Sequence, residues 1–324
     1  MKAAPAPALE CLHFIGVSTK QSSIVRLFPL WMEELRRPEV SLEGIDLGLH
    51  DDVQNYRRAV QRIKQDPLCL GALVTTHKLN LLNAARDLFD YLDPLARLSQ
   101  EVSCISKNNG RLEGHAKDPI SGGKSLDKLL GPGYFGRGGD VLALGAGGSI
   151  TALILHFHHK TKAEDRPGRI VVVDRSQSRI DGLSRMVESL RMGISCEYHC
   201  HVDPLQNDAL MNALSPRSVV INATGMGKDL PGSPITSAGR FPIGGVAWEL
   251  NYRGELQFLR QALSQREARS LTVGDGWVYF LHGWTQVIAE ALDVEIDERR
   301  LHRLAEIAEV IRPAASVEVN SNGR

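Results

Sequence analysis

The stretch Asp140-Val141-Leu142-Ala143-Leu144-Gly145-Ala146-Gly147-Gly148-Ser149-Ile150 decides the fold of this chain. Residues 140–144 have the composition of a short buried strand, the next residues form a glycine-rich turn, and the apolar spacing from 150 to about 157 is helical. Working outward, the hydrophilic residues 160–168 lead into a second apolar run, 169–173, which ends on Asp174. Further on, 218–221 opens into Asn222-Ala223-Thr224-Gly225-Met226-Gly227, and 246–250 and 271–273 are later strand-like runs. Strand, turn, helix and strand in this rhythm predict a doubly wound parallel sheet of the Rossmann type.

The turn carries the strongest local chemistry. A dinucleotide pyrophosphate must approach backbone amides at a helix N-terminus, where the dipole and unpaired N–H groups favour an anion. Side chains at Gly145 and Gly147 would block that approach. Ile150 stands where the usual third glycine would be, and Ala152 is positioned to make the close helix–strand contact instead. An acid at the end of the second strand accepts from the adenosine ribose hydroxyls and repels a 2′-phosphate, so Asp174 points to NAD. Arg175 beside it would pair with a 2′-phosphate and keeps NADP open. A glycine cluster alone would mean only a tight loop; the ordered strand, turn, helix, strand and acid favour dinucleotide binding.

Ahead of this block, strand-like and helical patterns alternate. Residues 12–17, 44–49 and 68–74 read as strands, and 24–35 and 53–64 as helices, which predicts a second α/β unit, at least partly parallel. After it, 277–311 is largely helical. The expected division is a substrate-binding and catalytic domain at 10–118, a dinucleotide-binding domain at 119–275, and helices at 276–312 that return to the first domain. Residues 1–9 and 313–324 are expected to be disordered.

Composition excludes several classes. Lys plus Arg (38) equals Asp plus Glu (38), so no global field attracts nucleic acid or anionic lipid. No apolar run approaches the ~20 residues that span a bilayer. The N-terminus lacks the apolar core of a secretory signal. Five cysteines, odd in number and mostly in apolar stretches, suit thiols in a reducing compartment and a cytoplasmic location. Cys196, His199, Cys200 and His201 suggest a metal, yet 197–202 alternates like a strand and would send the two histidines to one face and Cys200 to the other. No metal is expected. His156, His158, His159 and Lys160 end a helix, where cations complement the dipole. Trp277, Tyr279, Phe280 and Trp284 lie in a helical context and read as packing.

Lys78 follows the third strand through Thr75-Thr76-His77, and Asp118 follows 109–117, read as a loop. Alcohol oxidation needs a lysine to pass the hydroxyl proton and a carboxylate to orient the ammonium, and these two residues could supply the pair. Each alone would be an ordinary surface charge.

The order of motifs resembles the shikimate/quinate dehydrogenase family over nearly the whole chain. Residues 16–25 look like its Gly-x-Pro-(x)3-Ser-x-Ser-Pro loop, and 71–78 like its Asn-Val-Thr-x-Pro-x-Lys segment. Residues 114–118 correspond to Gly-x-Asn-Thr-Asp, and 141–152 to the Gly-Ala-Gly-Gly turn. Ile221-Asn222-Ala223-Thr224 matches Ile-Asn-Ala-Thr, 249–252 resembles Asp-x-x-Tyr, and 274–286 sits where the Gly-x-x-Met-Leu-x-x-Gln helix begins. The resemblance implies a split substrate domain, catalysis by Lys78 and Asp118, and a cofactor lying across Gly145, Ala146, Gly147, Gly148 and Ser149, Asp174 and Arg175, Asn222, Ala223 and Thr224, and Gly276. It assigns Ser22, Thr75, Ser103, Tyr252 and Gln286 to a small polar cyclic substrate, and it suggests a homodimer. Departures cluster on the substrate side. Ile24 and Val25 replace a serine and the proline of the first loop, and the proline before the lysine is missing. Ser103 replaces an asparagine, Ala116-Lys117 replaces Asn-Thr, and Gly283 stands at the glutamine with Gln286 one turn later. The expected activity is therefore reversible, NAD(P)-dependent hydride transfer at a ring hydroxyl or ketone of a shikimate-like acid or cyclitol. A catalytically silent NAD(P)-binding sensor is the alternative.

Overall fold

The structure, a computed structural model, describes residues 10–49, 51–228 and 230–313. Of the tails expected at 1–9 and 313–324, all but Pro313 lie outside the described residues. The chain divides into two compact units, one made of the residues up to 117 with 283–312 and the other of 118–282. Asp118 and residues 276–282 cluster with the second unit.

The first unit opens with β1 (Cys11–Gly16), α1 (Ile24–Glu34), β2 (Ser41–Asp46), α2 (Val53–Gln65) and β3 (Cys69–Val74). It continues through α3 (Lys78–Ala85), β4 (Tyr91–Leu92), α4 (Pro94–Ser99), β5 (Cys104–Asn108) and β6 (Arg111–His115). The sheet order is β2-β1-β3-β5-β6-β4. β1 pairs in parallel with β2 and β3, β5 is antiparallel to β3 and β6, and β4 is parallel to β6. Every residue of β1 is buried, as its mostly apolar composition, interrupted by His13, requires of a strand covered on both faces. β2 is an edge strand with half-exposed, charged residues, and it begins three residues before the run expected at 44–49. Residues 109–117, expected as a loop, contain β6. Asn109 (φ 50°) and Gly110 (φ 78°) both take the left-handed conformation of a tight two-residue hairpin turn, which folds 111–115 back onto β5. Helix α2 starts on Asp52, whose side chain accepts from Gln54 N, and buries Tyr56, Ala59, Val60 and Ile63 at helical spacing. Fully burying such an aliphatic side chain is worth about 1.5–3 kcal/mol.

The second unit runs α5 (Asp118–Leu130), β7 (Val141–Leu144), α6 (Gly148–His159), β8 (Arg169–Asp174), α7 (Gln177–Leu190) and β9 (Ser195–Cys200). Then come α8 (Pro204–Asn212), β10 (Val219–Asn222), β11 (Val246–Glu249), α9 (Gln257–Ser264) and β12 (Thr272–Gly274). Its parallel sheet has the order β12-β11-β10-β7-β8-β9, so the winding reverses between β7 and β10. Alternate strand residues face two cores. Val141, Ala143, Val172, Val219 and Ile221 meet Ile150, Leu153 and Ile154 of α6, whereas Leu142, Val171, Val173 and Val220 meet Phe258 and Leu259 of α9. Helices on both faces of a parallel sheet confirm the doubly wound reading. Beyond it lie α10 (Trp277–Ala291), whose residues from Gly283 onward cluster with the first unit, and α11 (Glu298–Glu309). In the first unit Trp31 of α1, fully buried, donates its indole N–H to Leu304 O of α11 at 2.8 Å. No helix among the described residues is long and apolar enough to cross a membrane.

Candidate functional site

In the second unit the register sets Leu144, Asn222 and Glu249 level, with Val173 beside Leu144 and Gly274 beside Trp248. The carboxyl ends of five parallel strands therefore share one rim, at the reversal of winding where open α/β sheets bind ligands. Each segment singled out in this half of the sequence emerges there: Gly145–Ser149 after β7, Asp174 and Arg175 at β8, Asn222–Thr224 at β10, Tyr252 after β11 and Gly276 after β12.

The two glycines of the turn serve different ends. Gly145 has φ 112°, and a Cβ there would stand 2.8 Å from Ala223 O, so this glycine permits close packing between the β7 and β10 ends. The expectation that both glycines clear the way for a ligand is corrected for Gly145. A Cβ on Gly147 would meet no atom within 4 Å, so space is open at the start of α6, where the first helical amides have no intrahelical partner. That open, amide-lined start fits a dinucleotide pyrophosphate. Gly276 is a packing glycine too, because a Cβ there would overlap the carbonyl of Leu250.

Asp174 is buried, and its Oδ2 accepts from Ala146 N at 2.7 Å while Oδ1 accepts from Ser176 N at 2.8 Å. The carboxylate thus ties the glycine turn to the start of α7, and each oxygen keeps a lone pair for a ribose hydroxyl. Arg175 is exposed beside it, and Arg179 Nη1 stands 3.9 Å from Oδ2.

Asn222 is fully buried and its carboxamide is engaged internally. Its Oδ1 accepts from Thr224 N (3.1 Å) and Thr224 Oγ1 (2.7 Å), and its Nδ2 donates to Glu249 Oε2 (2.6 Å). Glu249 Oε1 accepts from Asn251 N (2.8 Å) and Asn251 Nδ2 (2.6 Å). Asn222 therefore acts by shaping the Ala223–Thr224 turn, with its side chain turned away from the rim. Burial pushes the Glu249 carboxyl up to about 8 against these donors. Tyr252 packs on Phe280 and Trp277, with ring centroids at 4.6 and 5.5 Å.

Asp118 opens α5 and is buried, and the Tyr279 hydroxyl donates to its Oδ2 at 2.7 Å. Ser149 Oγ lies 3.4 Å from the same hydroxyl. One phenol thereby links the acid to the first turn of α6. The sequence reading treated Tyr279 as packing. Its one available signal was the polar tip of an aromatic standing where the family motif carries methionine.

In the first unit, Ser22, Thr75, Lys78 and Ser103 gather around the carboxyl ends of β1 and β3. Thr75 N and Oγ1 both donate to Ile15 O, at 2.9 and 3.2 Å. Thr76 has φ 33°, a left-handed conformation that proline, locked near −65°, cannot adopt. The turn before Lys78 therefore has no place for a proline at 76. Lys78 opens α3, an end where a cation runs against the helix dipole. Ser22 is buried. Ser103 is also buried, and its Oγ accepts from Lys117 N at 2.7 Å, so it fixes the segment that leads to Asp118. Gln286 is half-buried on α10. Cys196, His199, Cys200 and His201 lie along β9 and its end, with the His199 and His201 rings 6.4 Å apart, as alternation requires.

No family model matches the chain. The shikimate dehydrogenase (NADP(+)) of Streptococcus gordonii is 28% identical over 224 residues, 68% of this chain and 73% of that protein. Among solved structures, a quinate dehydrogenase from Corynebacterium glutamicum in complex with NAD superposes with TM-score 0.68 at 17% identity, covering 93% of this chain and 99% of that one. A shikimate 5-dehydrogenase from Thermus thermophilus in complex with NADP(H) and shikimate gives TM-score 0.64 at 21% identity, covering 93% and 100%. The structural likenesses, at 17% and 21% identity, show the fold that the chain shares with these dehydrogenases. In sequence and in fold the chain is similar to shikimate and quinate dehydrogenases.

Proposed function

We propose that the protein is an NAD(P)-dependent oxidoreductase that moves hydride reversibly between the dinucleotide and a ring hydroxyl or ketone of a shikimate-like acid or a cyclitol. The observation that carries this reading is the Asp118–Tyr279–Ser149 link, which holds an acid against the turn that fits a pyrophosphate. The bound cofactor supplies or accepts the hydride. Gly147 and Gly148 present amides to its phosphates, and Asp174 accepts from its adenosine ribose. Lys78 gives the carbonyl oxygen its proton in reduction and takes it back in oxidation, and Asp118, held by Tyr279, is the carboxylate assigned to the same reaction. NAD is the cofactor favoured by the Asp174 carboxylate; Arg175 and Arg179 are the groups that would receive a 2′-phosphate. The departures at Ile24, Ser103 and Lys117 favour a ligand other than shikimate itself, because each buried hydrogen-bonding mismatch costs about 1–3 kcal/mol.

The test is an absorbance screen of cyclic hydroxy acids and cyclitols with NADH and NADPH, using Lys78→Ala as the blank. Loss of the proton carrier should lower turnover by about 10²–10⁴-fold and leave dinucleotide affinity unchanged. A variant that keeps wild-type turnover overturns the assignment of Lys78. Dinucleotide binding with no turnover across the panel supports the sensor instead.

A further inference from the structure

We propose that Cys11, His13 and Cys69 of the first unit form a structural metal site for a soft to borderline d¹⁰ cation, with Zn(II) as its natural occupant. Both Sγ atoms and one ring nitrogen of His13 lie within 4.8 Å of one another. Tetrahedral zinc, with bonds of about 2.3 Å to sulfur and 2.0–2.1 Å to nitrogen, needs these ligands about 3.6–3.8 Å apart. The fold brings them together in a simple way. Cys11 and His13 are two apart on β1 and share a face, and the parallel register sets Cys69, the first residue of β3, beside Cys11.

His13 supplies the second, independent indication. It is 0% exposed, and neither ring nitrogen has a hydrogen-bond partner. A buried imidazole left so costs about 1–3 kcal/mol, which metal ligation removes. Two thiolates and an imidazole select Zn(II) or Cu(I) over the oxygen-seeking Mg(II) and Ca(II). Two thiolates also neutralise a divalent ion, so the set suits a buried site. The fourth ligand would be Glu43 of β2, whose carboxylate lies outside the three-residue cluster and has to swing inward to join it. Its Oε2 stands 3.8 Å from His13 Nδ1, and its side chain is 46% exposed. It now pairs with Arg62 at 2.7 Å, a surface ion pair that is cheap to exchange. The site would tie β1, β2 and β3 together at their amino-terminal ends. Gly16 and Thr75 lie at the other end, about 16 Å away along the strand, so the metal is a staple and not part of the chemistry. The cluster escapes a search for closely spaced motifs because 55 residues lie between His13 and Cys69. It also revises the expectation that the chain holds no metal.

The test uses the full chain purified without chelator or affinity metal. Elemental analysis should find about one equivalent of zinc per chain. Substitution with Co(II) should give the near-ultraviolet thiolate-to-cobalt charge-transfer band together with the visible bands of a tetrahedral ion. Cys69→Ala, and separately Glu43→Gln on the exposed edge, should hold at least 10-fold less zinc while circular dichroism stays that of the wild type (~10-fold per lost ligating group or more). Zinc at background with no thiolate band from cobalt overturns the proposal. So does zinc retained undiminished in Cys69→Ala, or a Cys11–Cys69 disulfide in the protein as isolated, read as fewer than the five thiols of the sequence after unfolding without reductant.

Discussion

Replacing Glu249 by glutamine keeps the shape of the side chain and removes its ability to ionise. Glu249 is 0% exposed at the end of β11, where burial raises its carboxyl from the ordinary 4.5 to about 8, although donors from Asn251 and Asn222 pull the other way. Between those values the folded protein holds a proton that the unfolded chain has released. Stability therefore falls as pH rises, by about 1.4 kcal/mol per unit. The window of about 3.5 units gives a loss on the order of 4–5 kcal/mol, which levels off above pH 8 once both states are ionised. Glu249→Gln lacks this slope. It carries its own pH-independent cost, about 1–3 kcal/mol, because its amide nitrogen must face N–H donors of Asn222 or Asn251. Urea unfolding of both proteins, in steps from about pH 5 to about pH 9, should find the variant weaker at the acid end and stronger at the alkaline end, with equal m-values. A constant offset across that range would refute the reasoning, since it would mean that the buried carboxyl is ionised throughout.

His282 should give a slope of the opposite sign. Burial, with Lys124 and Lys128 nearby, lowers its imidazole from 6.5 to about 4, so the unfolded chain takes up a proton that the folded protein refuses. Stability is lost as pH falls from 6.5 to 4, and His282→Leu should remove about 3 kcal/mol of that acid sensitivity in the same urea series; an unchanged acid arm would exonerate His282. The two slopes oppose each other between pH 4.5 and 6.5, so wild type alone hides both there. Tyr279→Phe deletes a hydrogen bond to a carboxylate worth about 1.5–3 kcal/mol, and kcat/KM should fall about 10–100-fold with dinucleotide affinity unchanged. An equal fall in dinucleotide affinity would assign the phenol to the Ser149 turn instead of to Asp118.

Legibility followed how local each constraint is. The glycine turn, Asp174 and the Ile221–Thr224 strand end were readable because strand, turn and helix signals sit within a few residues of one another. β2 was displaced because an edge strand of mixed burial has no clean alternation to read: Ser41-Leu42-Glu43-Gly44 carries little apolar signal, and the apolar residues downstream drew the expected strand toward 44–49. The β5–β6 hairpin was missed although Asn109-Gly110 is its signal, because the flanking residues are polar and were taken as a loop. Other features have little or no sequence signature. That Asn222 faces inward to Glu249, that Tyr279 reaches Asp118, and that His13 sits beside Cys69 depend on register between strands or on contacts 27, 161 and 56 residues apart.

The departures from the family pattern bear on whether this is a decayed enzyme or a redirected one. A site released from selection should leave its substituted positions loosely satisfied, because nothing maintains their partners. Lys117, standing where the family has threonine, is mostly buried and pairs with Glu290 at 2.6 Å. Glu290 also reaches His115 at 3.4 Å, and His115 in turn lies 2.9 Å from Ser106 Oγ. Ser103, another substitution, accepts from Lys117 N. Three elements of the first unit, β5, β6 and α10, thus close a polar network around the changed residues, and such a network is favourable only when its members are satisfied together. A buried lysine needs a carboxylate to be tolerated, and Glu290 supplies it to Lys117. Meanwhile the rim of the second unit keeps its glycine turn and the acid that ties it to α7. Compensated change on one side and retention on the other is the pattern expected of hydride chemistry kept while the ligand is replaced, and it weighs against the silent sensor.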